Sequence, residues 1–158
     1  MENEGSHVAF GLKVWKAQIE RTDKLFGSFS SEDVLREIAP GRNRLLYLWG
    51  HLTAIHDAML PLLGLGERLH PELMAPSSRI QTSRGPTFLR TNSFAERGKS
   101  SNAELWKGFE KMSWSDWLQR HTAVSEEDFA KDISPIVFAI LLSRTNHLSF
   151  HLGQAVLG

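Results

Sequence analysis

The sequence contains no cysteine, so neither disulfides nor thiolates can supply cross-links, metal ligation or nucleophilic chemistry. Net charge is absent too. Eighteen basic residues offset eighteen acidic ones, which argues against nucleic-acid binding by phosphate neutralisation and against adsorption to an acidic membrane. No apolar run approaches the ~20 residues of a membrane span, and Met1-Glu-Asn-Glu-Gly-Ser6 lacks the basic-then-apolar layout of a signal peptide. These absences lead to the expectation of a cytoplasmic protein with no nucleic-acid and no membrane partner. No segment alternates like a half-buried strand, no Gly-rich phosphate loop follows a strand, and no serine sits in a nucleophile elbow. Internal repeats and low-complexity tracts are missing as well. At 158 residues the chain reads as one all-α domain, residues 1–158, long enough to bury a core without cross-links.

What is present is helical periodicity. Val8, Leu12, Trp15, Ile19 and Phe26 keep one face from a Ser6 cap to a stop at Gly27. Ser30 to Ile38 predicts a short capped helix, broken by Pro40-Gly41. A second long helix is expected from near Arg42, with Leu45, Leu48, Leu52, Ile55, Met59 and Leu62 on its core line and an end between Leu60 and Gly64, around Pro61. Gly66 to Ser100 holds Pro71, Pro76 and Pro86 and no sustained period, and it reads as a long connection. A crossover of that length lets the second and third long helices of a four-helix bundle run parallel. Ser101-Asn-Ala-Glu104 resembles a capping box opening the third helix through Leu105, Trp106, Phe109 and Met112. Ser113 to Trp117 and Ser125 to Phe129 each predict a short helical start, and Ser134-Pro135 predicts the cap and first position of the last long helix. The five tryptophans are expected as core or interface anchors.

The last helix carries the most informative pattern. Val137, Leu141, Leu148, Leu152 and Ala155 mark its core line, and Ile136, Ile140, His147, His151 and Gln154 form an adjoining line on nearly the same face. His147 and His151 are four apart, so their rings sit one turn above the other and can present two nitrogens to one point. His51 is the best third ligand, since it lies beside the core line of the second helix, whereas His56 falls outside the stripe and is expected at the edge or in solvent. Spacing alone leaves two readings open: three separate histidines satisfied by ordinary hydrogen bonds, or one shared cation. Sharper metal motifs are missing. Leu148 stands where a metalloprotease helix carries its glutamate, and Glu67-Arg-Leu-His70 has the carboxylate-bridged di-iron spacing only once.

Three stretches resemble the DinB-like superfamily of small four-helix proteins, also called DinB/YfiT-like metalloenzymes. They are Gly41-Arg-Asn43 leading into Trp49-Gly-His-Leu52, then Leu63-Gly-Leu-Gly-Glu67, then Asn146-His-Leu-Ser-Phe-His-Leu-Gly-Gln154. The resemblance spans nearly the whole chain and is weakest from about Pro71 to Ser100. It implies an up-down-down-up bundle with a long second connection, and a divalent metal, zinc or nickel, held by one histidine of the second helix and two of the last. His51, His147 and His151 occupy those positions. It further implies a homodimer and, from characterised relatives, enzymes that use low-molecular-weight thiols on small electrophilic substrates.

The leading expectation is therefore a metal-dependent thiol S-transferase with open coordination positions. Metal-dependent hydrolysis of an ester or amide, and a non-enzymatic binding bundle whose metal is structural, stand as alternatives. A haem-binding bundle with His51 and His147 as axial ligands is a further reading. Nothing in the sequence marks a general base, the substrate or the thiol.

Overall fold

The computed structural model describes residues 4–74 and 87–157, with side chains described at 5–73 and 93–157. These residues form four long helices, two short ones and two 3-10 turns. No strand occurs among the described residues, only the isolated bridges Glu37–Arg44 and Arg120–Ile136. No helix among them is long and apolar enough to cross a membrane.

Helix α1 spans Glu4–Ser28 and buries Val8, Trp15 and Phe26, with Leu12 and Ile19 half-buried on the same stripe. It starts before Ser6, which lies inside the helix instead of capping it. The helix expected at Ser30 to Ile38 is a single 3-10 turn, Asp33–Leu35. The serine ahead of it does bond to the turn: the Ser30 amide and hydroxyl donate to Asp33 Oδ2 at 2.9 and 2.8 Å, and the Asp33 amide donates back to Ser30 Oγ at 3.1 Å, although the residue at the N-cap itself, Glu32, makes no side-chain cap. The turn goes no further because the chain reverses around Pro40-Gly41. There the amides of Ile38 and Leu45 donate to the carbonyls of Asn43 and Arg36 at 3.0 and 3.1 Å, and Gly41 takes a φ of 71° that other residues rarely adopt.

Helix α2, Leu45–Leu62, begins three residues after Arg42 and ends one residue past Pro61, within the expected stretch from Leu60 to Gly64. The Leu63 amide closes on the Met59 carbonyl at 2.9 Å, and Gly64 reverses the chain with a φ of 70°. Thr122 then satisfies the carbonyls left over, its hydroxyl donating to Pro61 and Leu62 at 2.9 and 3.1 Å and its amide to Leu62 at 3.0 Å. Burial on α2 is wider than one stripe. Leu45, Leu48 and Leu52 pack with Phe26, Leu148 and Leu152, while Leu46 and Ala54 pack on another side with Val34, Leu73 and Phe94. Ile55 and Leu62, expected on the core line, are only half-buried.

The largest departure from the sequence reading is α3, Thr87–Phe109. Ser101 does not open this helix. It lies deep within it, fully buried, and its hydroxyl donates to Asp57 at 3.0 Å. Of the stretch expected to be irregular, 66–100, residues 87–100 are helical and 75–86 lie outside the described residues. Periodicity failed here because, past Phe94 against Gly50, the residues facing α2 are small or polar: Gly98 lies against Thr53, Ser101 hydrogen-bonds Asp57, and Asn102 hydrogen-bonds His56. A hydrophobic pattern does not register a seam of that kind. It also explains why His56 is 3% exposed, contrary to the expected edge position: its Nδ1 meets Asn102 Oδ1 at 2.8 Å and its ring stacks on Trp15 at 6.1 Å.

Asp57, fully buried beside that seam, anchors the connection that leaves α2. It accepts from Arg68 Nε at 2.9 Å, the Leu69 amide at 3.0 Å, the His70 amide at 3.1 Å and Ser101. Burial alone would raise its pKa, but the Arg68 hydrogen bond, followed by those from Ser101, His70 and Leu69, holds the carboxyl below its ordinary value.

The short helices α4, Trp114–Trp117, and α5, Glu126–Lys131, start as the sequence predicts, with Ser113 and Ser125 accepting from the amides of Asp116 and Asp128. Helix α6, Val137–Leu157, starts later than Ser134-Pro135. Before it winds, the Pro135 carbonyl accepts from the His121 amide at 3.2 Å and the Val137 amide donates to Gln119 at 2.9 Å. Pairing with 119–121 therefore holds 135–137 extended, and the Ser134 hydroxyl turns to Asp132 instead of the helix.

Side-chain neighbours give the helix directions. Along α2 and α3, Gly50 meets Phe94 and His56 meets Asn102, so numbering rises in the same sense. Gly11 of α1 abuts Phe138 and Leu141, while Leu25 and Ser28 lie with Ser149, Leu152 and Val156, so α1 and α6 also run together. Phe26 against Trp49 and Trp15 against His56 set α2 opposite to α1. Among the tryptophans, Trp15 and Trp117 are each 2% exposed and the others are half-buried.

Candidate metal centre

The expected core line of α6 is buried throughout: Val137, Leu141, Leu148, Leu152 and Ala155 are all at most 8% exposed. Burying a leucine or valine side chain contributes about 1.5–3 kcal/mol, so this line fixes the rotation of α6 about its axis. The adjoining line, Ile136, Ile140, His147, His151 and Gln154, is then held half-buried, with His147 and His151 facing His51 of α2. On α2, Leu48 and Leu52 do the same for His51.

The three imidazoles meet edge to face. His51 Nε2 lies 3.3 Å from His147 Nε2, and His151 Nε2 lies 3.1 Å from the same atom. A ligand atom from each of the three falls within 4.8 Å of the others, so the three can hold one metal ion. No other cluster of metal-ligating side chains occurs among the described residues. His56 and His121 are not part of it, and Glu67 and His70 do not join a carboxylate-rich site.

Hydrogen bonding alone does not account for this convergence. A neutral ring nitrogen carries either one proton or one lone pair, so His147 Nε2 can be properly matched to only one of its two neighbours. A cation matches all three. Nitrogens about 2.0–2.1 Å from one tetrahedral ion lie about 3.3–3.4 Å apart, close to both separations found here. His151 Nδ1 faces Gln154 Oε1 at 2.7 Å, a contact that favours the proton on Nδ1 and with it a lone pair on Nε2 for an ion. Tyr47 lies parallel to the His51 ring at 6.1 Å and 5°, and Phe150 covers the edge of His151. His147 has no such support, since its Nδ1 is buried without a hydrogen-bond partner among the described residues.

Burial favours the neutral form of the His51 and His147 rings. Burial, followed by the charges of His151, His51, Arg144 and His56, pushes the His147 pKa from 6.5 down to about 4. Burial first, then His151 and Arg144, lowers that of His51 as well. Neutral imidazole is the ligating form. The same depression has a consequence for metal-free protein. Between about pH 6.5 and about pH 4 the unfolded chain binds a proton at residue 147 that the folded chain does not, so stability is full above that window and is lost as pH falls through it. Urea midpoints measured in chelator at pH 7, 5 and 4 should fall, and His147→Leu should flatten that part of the slope; an unchanged slope in the variant would show that the group responsible lies elsewhere.

Sequence reasoning located the three histidines and placed Gln154 on their line, without seeing its contact with His151. It gave no indication of Tyr47 at His51. The residue type gave no signal, because a tyrosine on a half-buried helical line is ordinarily solvated at its tip. In comparisons with known proteins, no family model and no curated protein sequence matches the chain.

Proposed function

We propose that the protein is a DinB-like metal-binding protein, a zinc- or nickel-dependent thiol S-transferase whose ion is held by His51, His147 and His151. The observation that carries the reading is the convergence of three Nε2 atoms from two helices on one point, with the pKa values of His51 and His147 lowered by burial. Support for an up-down-down-up bundle comes from the directions above: α1 and α6 share one sense, and α2 and α3 the other. A parallel α2–α3 pair is the arrangement that a long second connection allows.

A divalent ion bound by neutral ligands keeps its full charge and lowers the pKa of an incoming thiol, presenting it as the nucleophilic thiolate. The chain's own residues have simpler tasks. Gln154 fixes the His151 tautomer, the buried line of α6 fixes the phase of both its histidines, and three protein ligands leave room for an exchangeable group. The metal-ligating cluster includes no carboxylate, and thiol transfer needs no protein base once the thiol is ionised.

The test supplies metal-loaded protein with bacterial low-molecular-weight thiols and a haloaromatic electrophile and follows thioether formation. The expected result is a rate above background that disappears in His147→Ala and on chelation. A rate indifferent to both, or turnover of esters or amides with no thiol present, would reject thiol transfer, the latter in favour of hydrolysis.

A further inference from the structure

The four long helices enclose a cavity of about 20 Å³, whose wall includes Thr22 and Asp23 of α1, Thr53 and His56 of α2, Gly98 of α3 and Leu148 of α6. That is room for one group the size of a water molecule. None of His51, His147 and His151 lines it. His56 Nδ1 meets Asn102 Oδ1 at 2.8 Å, and because an amide oxygen only accepts, Nδ1 carries the proton and Nε2 a lone pair. Nε2 is buried and has no partner among the described residues. Buried polar atoms are almost always satisfied, so this one calls for a donor. The two hydroxyls of the wall do not supply it, since Thr22 donates to the Gln18 carbonyl at 2.7 Å and Thr53 to the Trp49 carbonyl at 2.9 Å. Each retains only lone pairs.

Charge narrows the chemistry further. Asp23 is the one charged residue lining the cavity and joins no ion pair among the described residues. Burial lowers the His56 pKa against the opposing hydrogen bond to Asn102, which favours the neutral ring. The remaining donors of the wall, the Asn102 amide and the Trp49 indole, are uncharged and do not balance the carboxylate. A cation with N–H donors does. Outside lies a groove of about 240 Å³ between α1 and α3, which shares Ile19, Asp23 and Asn102 with the cavity and adds Trp15 and Trp106. Asp23 is exposed and lines both, which places it at the mouth. The charges of the groove itself cancel, Lys16 and Lys99 against Glu20 and Asp23. Gly98 sits in the middle of α3, where glycine weakens a helix, and a Cβ there would meet nothing nearer than Thr53 Oγ1 at 3.6 Å. The missing side chain leaves the cavity its space.

We infer that the cavity and the groove outside it bind a small organic amine, its ammonium donating to His56 Nε2 with Asp23 as counter-ion and its apolar part lying against Trp15 and Trp106. A charge-assisted N–H bond to a buried acceptor, with a carboxylate beside it, discriminates against neutral molecules of the same shape. The site stands apart from the three-histidine centre and does not depend on its metal.

The experiment is calorimetric titration with benzylamine and its neutral isostere benzyl alcohol, on protein kept in chelator so that no amine–metal contact contributes. Benzylamine should bind once per chain, and benzyl alcohol about tenfold more weakly or worse. Asp23→Asn and His56→Leu should each weaken benzylamine by about tenfold or more, and the Asn variant, at an exposed position, serves if the Leu variant does not fold. Gly98→Ala adds a methyl to the cavity without a clash. It should weaken benzylamine to a similar degree while unfolding at the same or a higher urea concentration, a split that a merely structural role would not produce. Absence of benzylamine binding, equal affinity for benzyl alcohol, or unchanged benzylamine affinity in Asp23→Asn or Gly98→Ala would overturn the assignment.

Discussion

Replacing His51, His147 or His151 with Ala should reduce bound metal from about one ion per chain to near zero after dialysis, with affinity lowered by at least ~100-fold. Each ring contributes one of three converging nitrogens, and a pair of imidazoles retains neither the charge stabilisation nor the geometry of the three. Gln154→Ala should have a smaller effect, about 10–100-fold, because it frees the His151 tautomer without removing a ligand. His56→Ala and His121→Ala are the controls, since neither belongs to the cluster. Elemental analysis of protein purified without chelator reads all of these. Equal retention across the five alanine variants at histidine would remove the assignment.

Asp57→Ala should cost about 3–5 kcal/mol of folding stability, the range for removing one partner of a buried ion pair. The carboxylate is fully buried, and its loss leaves Arg68, whose side chain is 16% exposed, without its partner, together with two backbone amides and the Ser101 hydroxyl. Asp57→Asn keeps the shape and loses the charge, and should lie between. Urea denaturation with matched slopes gives the difference directly, and a cost below about 1 kcal/mol would mean that the network behaves like a surface pair. The pH dependence has a definite sign. With the folded pKa depressed, the contribution is complete above the unfolded value of about 3.9 and disappears as pH falls through the folded one.

Asp57 also shows where a sequence stops being informative. The core line of α6, the caps at Ser113 and Ser125 and the stop at Pro61 are local, each decided by residues within a turn or two. They were legible for that reason. The His147/His151 pair was legible on the same grounds, and His51 because its phase on α2 is set by leucines on either side. The seam between α2 and α3 joins residues more than forty positions apart: Asp57 to Ser101, His56 to Asn102. Each of these looks like a surface residue until its partner is known, so Ser101 read as a cap and His56 as exposed. The start of α6 failed for a related reason. Ser134-Pro135 is a sound local cap signal, overridden by backbone pairing with 119–121.

The parallel packing of α1 on α6 has a consequence for how the chain is made. Roughly a hundred residues separate the end of α1 from the start of α6, and at about 5–20 residues per second a ribosome needs on the order of ten seconds to bridge them. During that interval Val8, Trp15 and Phe26 have no α6 to cover them, and His51 has neither of its companions. The nascent polypeptide thus exposes this apolar face first and brings the three histidines together last, so an ion that needs all three could be captured only as the core closes and could not template it from the outset.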